Sequence, residues 1–576
     1  MKKITLIILA FQCFILSSYA QVGIGTTTPE ASSVLDVTAT DRGLLVPRVS
    51  LVAVANGTLP INAPATSLLV WNTNAAVVGG NGIGYYYWDS SNWVSIRRGN
   101  VERIDDLLDG KSDNDGTNNG SSIFFGIDAG VNDDASNNGN IGIGYQALSS
   151  NTGGSNNAAI GSHAMQSNTL GNWNVANGSL ALYSNIDGNS NTSVGFQSMI
   201  YNTEGNDNVA IGVNTLFNNI DGDNNTALGS SSLFFNSSGS FNTAIGRNAL
   251  NNNTTASRNT AVGYQSLENN TEGENNIAVG SGALFGNTTT SNNVGIGNNA
   301  LRLNTTGTNN VALGNNTLDS NTGGFNNIAI GRNSLQANVS GFSNIGIGYE
   351  SLYNNTGNGN VAIGYHTLYT NTSGSDNIAM GFDAMLTNTT GTSNTALGSQ
   401  SLRNNTWGFF NNAFGRYALQ NNISGAGNTA LGFQSLQTNT TGNDNTSVGN
   451  GSGVGINGNN NVFLGFMAGS SAVANTNTGN ISIGYQAGRN AVGNNRLYID
   501  NSSTAAPLVY GEFDTNTLRV NGALQVNDPT GTGYQLPATD GTANQILQTD
   551  GNGTTSWVAN SNSSAVIKLR NSTHID

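Results

Sequence analysis

Cysteine is missing from this chain after residue 20; Cys13 is the only one in 576 residues. Disulfides therefore do not hold the bulk of it together. Charge is also scarce. Only 9% of residues are charged, and 19 Lys and Arg against 33 Asp and Glu give a formal net charge of -14. Acidity this dilute keeps a protein soluble and disfavours nucleic acid as a partner, but it names no other. Past the first twenty residues no segment approaches the ~20 apolar residues of a membrane-spanning helix. Histidine occurs three times, at His163, His366 and His574. No Gly-x-Ser-x-Gly, P-loop or His-Glu-x-x-His spacing is present. The expectation is a protein that is not an enzyme and carries no cofactor.

What is abundant is order of a different kind. Asn-x-x-x-Gly recurs with a 17-residue period, its glycines running from Gly144 and Gly161 through Gly246 and Gly263 to Gly348. After one 16-residue step the series resumes at Gly364 and reaches Gly449. A fixed short period means that each repeat is one unit stacked on its neighbours. Many Gly and Asn with little charge is also the composition of disorder. The strict apolar columns exclude it, because a disordered chain has no reason to keep such residues in register.

Positions are counted here from the marker glycine. Asn stands four before it in every repeat from Asn140 to Asn480, and seven after it from Asn151 to Asn439. The residue before the glycine is apolar, as at Ile160, Ile245 and Ile330, except Asn177. Leu or Met stands four after it from Leu148 to Leu436, preceded by Ala, Ser or Thr. Asn242 to Gly246 reads as a short strand with period-2 alternation, Thr243 and Ile245 facing one way and Ala244 and Gly246 the other. Ala249-Leu250 supplies a second wall, and Asn-Thr-x-Gly clusters make the turns. A single helical turn at Gly-x-x-Ala-Leu is the competing reading, but the Gly and Asn content opposes helix. Two asparagine ladders are expected, through Asn242, Asn259 and Asn276 and through Asn253, Asn270 and Asn287. The fold class is thus all-β: a solenoid of 17-residue coils with small β-domains at both ends.

Met1-Lys2-Lys3, an apolar run from Ile4 to Leu16 and Ser18-Tyr19-Ala20 read as a signal peptide over 1–20. Cleavage before Gln21 would leave 556 residues with a net charge of -16, and places the protein outside the cell or on its surface. Residues 21–100 read as a small β-domain, 101–122 as a polar linker, 123–490 as the array, and 491–576 as short strands and a polar tail. In the last coils Leu gives way to Gly453, Gly469 and Gly488, as expected where a stack is capped. Each coil carries only about two large apolar residues, a marginal core. Either the Ile and Leu columns both lie inside a closed single-chain coil, or three chains bury one column between them. The second also protects flat faces and edges, so a homotrimer is expected.

The core Asn-Thr-Ala-Ile-Gly-x-x-Ala, as at Asn242 to Ala249, resembles the head repeat of trimeric autotransporter adhesins of the YadA-like kind. The resemblance covers about two-thirds of the chain. It implies left-handed parallel β-rolls, three side by side, that bind a surface glycan or a matrix protein. Coils of 17 residues are longer than the usual head repeat, and neither a heptad stalk nor an anchoring β-barrel is evident. The flanks (Val22 to Pro29, Gly43 to Arg48, Asp540 to Trp557) resemble secreted bacterial proteins related to phage tail fibres. Many of those end in a self-cleaving chaperone, for which the residues after Trp557 leave no room. The expected function is a fibrous adhesin-like protein. The alternatives are a polysaccharide-cleaving tail-spike-like enzyme and a structural spacer.

Three side-chain groups merit a test as sites. Asp187, Glu204 and Asp221 stand nine after their glycines in consecutive coils, a weak calcium candidate against the simpler reading of solvated turn residues. Tyr85, Tyr87, Trp88 and Trp93 would either contact sugars or a partner, or alternate between core and surface. His163 and His366 occupy equivalent positions twelve coils apart, ~58 Å at ~4.8 Å per coil, and cannot share a site. Thr243 and Thr260 give way to Ile277, Val294 and Val311, so that column is no regular threonine array.

Overall fold

The structure is a computed structural model that describes residues 22–30, 33–55, 57–96, 110–112, 121–134, 138–522, 524–526, 534–537, 539–552 and 554–560. The signal-peptide segment 1–20, most of the linker and His574 lie outside them. Two compact units divide the chain, Met1–Arg103 and Ile104–Asp576. Among the described residues there is no helix. In the first unit the strands Arg48–Val49, Leu69–Asn72, Gly84–Trp88 and Trp93–Ser95 form one sheet, and Val22–Ile24 pairs in parallel with Leu35–Val37. Its core is Leu51, Val70, Val77, Tyr86, Trp88 and Trp93.

In the second unit 26 strands form one open ladder, from Gly110–Ser112 to Thr517–Val520. The 23 from Ile123–Phe125 to Arg496–Ile499 run parallel, each paired only with the coil before and the coil after. At ~4.8 Å per step these span roughly 105 Å. The ladder takes in residues on both sides of the expected array: Gly110–Ser112 from the linker and three strands beyond 490. The 16-residue steps leave register intact, with Ile345 beside Val361 and Thr446 beside Val462.

Each coil has one three-residue strand, such as Thr243–Ile245, followed by turns. The second wall is therefore not a strand. Within it Asn248 (φ 58°) and Leu250 (φ 50°) are left-handed, and so is Arg258 (φ 60°) before the next coil. Left-handed backbone costs a non-glycine residue roughly 1–2 kcal/mol. Burial of the leucine, roughly 1.5–3 kcal/mol, offsets that cost. The Leu250 amide also donates to the Ser266 carbonyl one coil on, at 3.0 Å. At the marker, φ is 131° for Gly246, and a Cβ there would lie 2.5 Å from the Gly263 carbonyl oxygen. Only glycine fits this close approach of successive main chains.

The interior is narrow. Ala244, Ala249 and Leu250 are fully buried, whereas Ile245 faces outward. Of the two arrangements expected from the sequence, the isoleucine column is not inside the coil. The remaining interior is asparagine, arranged in the two ladders. In one, the Asn259 backbone amide donates to Oδ1 of Asn242 (3.0 Å), and the Asn276 amide to Oδ1 of Asn259 (2.9 Å). In the other, Nδ2 of Asn253 donates to Oδ1 of Asn236 (2.7 Å), and Nδ2 of Asn270 and of Asn287 continue the row at 3.1 and 2.9 Å. Both ladders converge on one main-chain oxygen per coil: Nδ2 of Asn242 and of Asn253 each donate to the Ala256 carbonyl at 2.9 Å. Most coils have glycine at that position, because a Cβ on Gly273 would stand 2.5 Å from Oδ1 of Asn270. Thr290 is an exception whose hydroxyl joins the ladder, bonding Asn287 and accepting from Asn304 at 3.1 Å.

The ends exchange sizes across the interior. Where position +4 loses its leucine, an aromatic ring takes the inward strand position of the same coil or the next. Phe124 fills the space beside Gly130, Phe463 that beside Gly453 and Gly469, and Tyr498 that beside Gly488. Conserving volume in this way keeps the stack packed to its last coils.

Asn253→Ala should destabilise the array by about 3 kcal/mol, because Oδ1 of Asn236 and one N–H of Asn270 become buried orphans at roughly 1–3 kcal/mol each. Asn253→Asp should cost at least as much, since a carboxylate cannot donate to Asn236. Denaturant unfolding followed by circular dichroism checks both; an unchanged midpoint in either variant would refute the ladder.

Candidate functional site: the outer faces of the coil

With the inward positions committed to packing, any recognition chemistry has to sit on outward columns. The strand contributes two, at positions −3 and −1. From Ile141 to Ile483 neither contains a charged residue. Many of these side chains are large and exposed, among them Ile160 (42%), Ile277 (40%), Ile378 (42%) and Leu431 (48%). The result is a continuous, uncharged sheet face along the ladder, far longer than the apolar patches ordinary on a monomer.

Past the marker glycine the surface changes character. Tyr349, Tyr365 and Phe382 stack at 5.2 and 5.4 Å with their planes within 13°. Beside them Glu350, His366 and Asp383 occupy one column. His366 Nε2 lies 3.1 Å from Glu350 Oε2, His366 Nδ1 lies 3.8 Å from Asp383 Oδ1, and Arg403 Nε lies 3.6 Å from Asp383 Oδ2. Burial acts to raise the Glu350 pKa. The hydrogen bonds from Tyr349 and Asn333 and the His366 ring outweigh burial and hold it below the usual glutamate range. His366 is thus embedded among the rings of Tyr349, Tyr365 and Tyr369 and is not a freely exposed side chain. His163 packs edge-on against Tyr145 and bonds Gln166 at 2.9 Å. The two histidines take no part in a common site.

Asp187, Glu204 and Asp221 stand in successive coils, yet among the described residues no group of three or more His, Asp or Glu could hold a metal ion. In the first unit Tyr85 and Tyr87 face outward, while Trp88 and Trp93 are core side chains 7% and 2% exposed and 5.4 Å apart. The tryptophans thus support the sheet and offer no contact surface.

Two columns escaped sequence reasoning. At position +8 a threonine row does exist: Thr254 and Thr271 donate their hydroxyls to the carbonyls of Thr271 and Thr288, both at 3.1 Å. At position +11 the Oδ1 atoms of Asn172, Asn189 and Asn206 accept from the amide of the coil before, at 2.9 Å each, and Asp223 continues the row. Aligning the repeats and reading every column, instead of the invariant ones, is the signal that would have found both.

The termini of the second buried ladder were also missed. Asp133 replaces asparagine at its start, and Oδ1 accepts from Nδ2 of Asn151 (2.7 Å), Asn140 (3.1 Å) and Asn138 (3.2 Å). Its other oxygen is buried and unbonded. At the far end Ile456 follows Asn439, whose Oδ1 is likewise without a partner. Burial pushes the Asp133 pKa up against the lowering effect of its three amide donors and of Lys111.

A family model described as a phage tail like trimerisation region matches residues 23–114. No curated protein and no solved structure shows a significant match to the chain. The trimerisation match supports a homotrimer, and with the parallel solenoid it fits a structural, fibre-like protein. Among the described residues no helix is long and apolar enough to cross a membrane.

Because the folded pKa of Asp133 is raised, the native state holds its proton over a window that opens above about pH 4, the ordinary aspartate value. Its contribution to stability therefore falls as pH rises through that window. The melting temperature of Asp133→Asn relative to the parent protein should climb between pH 4 and pH 7. Parallel pH profiles for the two proteins would exclude an ionising cap.

Proposed function

We propose that this protein is a secreted or surface-displayed, non-catalytic fibre subunit that trimerises along its uncharged strand face and attaches to surfaces through its remaining walls. The observation that carries this reading is that face. Two adjoining columns stay free of charge from Ile141 to Ile483, although their side chains lie outside the coil. A sheet face in water normally carries polar or charged residues that deter random association. Burying it between copies removes the apolar area from water at ~25 cal/mol per Å². The trimerisation match at 23–114 supports three copies.

Secretion is supported by the basic start, short apolar core and Ala20 of the leader, and by a chain with no cysteine beyond it. The non-catalytic part rests on outward columns that, among the described residues, repeat coil by coil. An attachment role suits such a surface, because many weak contacts in register add up by multivalency.

Multi-angle light scattering of the chain from residue 21 should give three times the monomer mass, and electron micrographs should show filaments. Ile277→Lys with Ile296→Lys should convert it to monomers that keep the β circular dichroism. A monomeric parent protein, or a double variant that stays trimeric, refutes the interface. Beads coated with the protein should be retained on mucin, collagen or cellulose; failure on all three refutes attachment, and release of reducing ends from polysaccharide refutes the non-catalytic role.

A further inference from the structure

A shallow groove of about 540 Å³ runs across the coils between Thr387 and Thr440. Thr387, Asn404 and Asn421 line one side at position +6, and Thr406, Ile423 and Thr440 the other at position +8. These positions flank the buried ladder asparagine and lie on a different segment of the coil from the strand face. No charged side chain lines the groove.

Its polar groups are held in fixed orientations. Thr387 Oγ1 donates to the Arg403 carbonyl (3.0 Å), Thr406 Oγ1 to the Ile423 carbonyl (2.9 Å) and Thr440 Oγ1 to Asn457 Oδ1 (2.9 Å). Each hydroxyl hydrogen is thus engaged with the protein, which leaves oxygen lone pairs as acceptors. Asn404 Nδ2 donates to Asn421 Oδ1 at 2.9 Å, while the Asn421 side-chain Nδ2 has no protein acceptor of its own. Acceptors and one amide donor therefore recur at the coil spacing over ~14 Å, three steps of ~4.8 Å.

One residue past Thr406, next in sequence to the groove lining, stands Trp407, 62% exposed. Two residues further along the same turn are Phe409 (45%) and Phe410 (61%), their rings 5.3 Å apart and 81° to one another. Some exposed rings of the ladder, such as Tyr365, lie face to face with rings of the next coil, which occupies their faces. Trp407 differs: the same position holds Thr390 one coil before and Ser424 one coil after, so no neighbouring ring covers the indole.

We infer that this groove and Trp407 form a binding site for a neutral oligosaccharide. Fixed hydroxyl and amide groups match sugar hydroxyls, and an uncovered indole matches the apolar face of a pyranose ring. The lack of lining charge argues against an anionic glycan. Arg403, whose guanidinium donates to Oδ1 of the lining residue Asn404 at 3.4 Å, is paired with Asp383 at 3.6 Å. The site deepens the attachment role proposed above and rests on it.

The test uses the chain from residue 21, titrated by calorimetry with oligomers of β-linked glucose, N-acetylglucosamine and mannose, with oligogalacturonate as the anionic probe and a threonine-rich peptide as the protein probe. At least one neutral oligomer should bind and change the tryptophan fluorescence. Trp407→Ala should weaken that binding by at least about tenfold, and Asn421→Ala should weaken it too. Trp173→Ala, which changes an equally exposed indole away from the groove, should leave binding unchanged. Circular dichroism and light scattering on each variant separate loss of binding from loss of fold or of trimer. No binding of any neutral oligomer, equal binding by Trp407→Ala, or tighter binding of oligogalacturonate or the peptide would each overturn the site. Bead attachment scored in parallel keeps the two readings apart: beads bearing Trp407→Ala that still adhere would move attachment elsewhere while the saccharide site stands.

Discussion

One main-chain oxygen per coil, reached by two asparagine side chains, is the constraint on which the solenoid depends. The Ala256 carbonyl receives Nδ2 of Asn242 and of Asn253, and the equivalent oxygen in each neighbouring coil receives its own pair. Asparagine alone suits the role. It must accept from one coil, donate to another and reach inward by one carbon only. Glutamine is too long for the interior, aspartate cannot donate, and serine has one donor hydrogen where the ladder and the shared carbonyl need two. The ends support this logic. Asp133 appears where the row has donors after it and no earlier coil to donate to; Ile456 appears where the row stops. Crowding around the shared oxygen then dictates glycine at most positions +10, as steric contact with the next coil dictates it at the marker. The abundance of Asn and Gly is thus a consequence of packing in a core too thin for more than about one large apolar side chain per coil.

Much of this was legible in the amino-acid sequence. The period implied stacking. The invariant asparagines at positions −4 and +7, the columns of Asn140 and Asn151, implied ladders because nothing else explains an amide in every repeat. Alternation correctly put Thr243 and Ile245 on one face. It could not tell which face was inside, and hydropathy favours isoleucine over alanine for a core. The structure reverses that choice because the inward face of the strand lies close against the leucine wall: at Gly295, in the Ala244 column, even a Cβ would meet the Ala300 carbonyl at 3.1 Å and Leu284 at 3.3 Å. The left-handed Leu250 was invisible for a related reason. Propensity argues against a leucine with positive φ, and only the stack, which buries it and pairs its amide with the next coil, makes the conformation favourable.

Candidate sites were less legible than the fold because they depend on columns that vary. Glu350 and His366 are 16 residues apart and Asp383 a further 17, so the cluster emerges only once the short coil is aligned on its glycine. Gly453, Gly469 and Gly488 were read from the sequence as irregularities of a capped stack, and the same alignment supplies their packing partner. Their partner is the strand alanine on the opposite wall, enlarged to Phe463 or Tyr498 where the leucine is lost. Single columns record what a position tolerates; pairs of facing columns record how the interior is filled.

The division between inward and outward positions also limits what this surface can do. Inward positions are fixed by volume and hydrogen bonding, so variation is confined to columns whose members recur every ~4.8 Å. Such a surface favours repeated shallow contacts over one enclosed pocket, and binding to it gains through the number of contacts made together. Rings in adjacent coils compete with any ligand, because they bury each other's faces: Tyr349, Tyr365 and Phe382 present edges, not faces, to solvent. A stacked column of this kind stabilises the coil and offers an apolar stripe. An isolated ring set between Thr390 and Ser424, as Trp407 is, keeps its faces for something else. On a solenoid, then, the position to examine for recognition is the one where an exposed aromatic residue breaks its column.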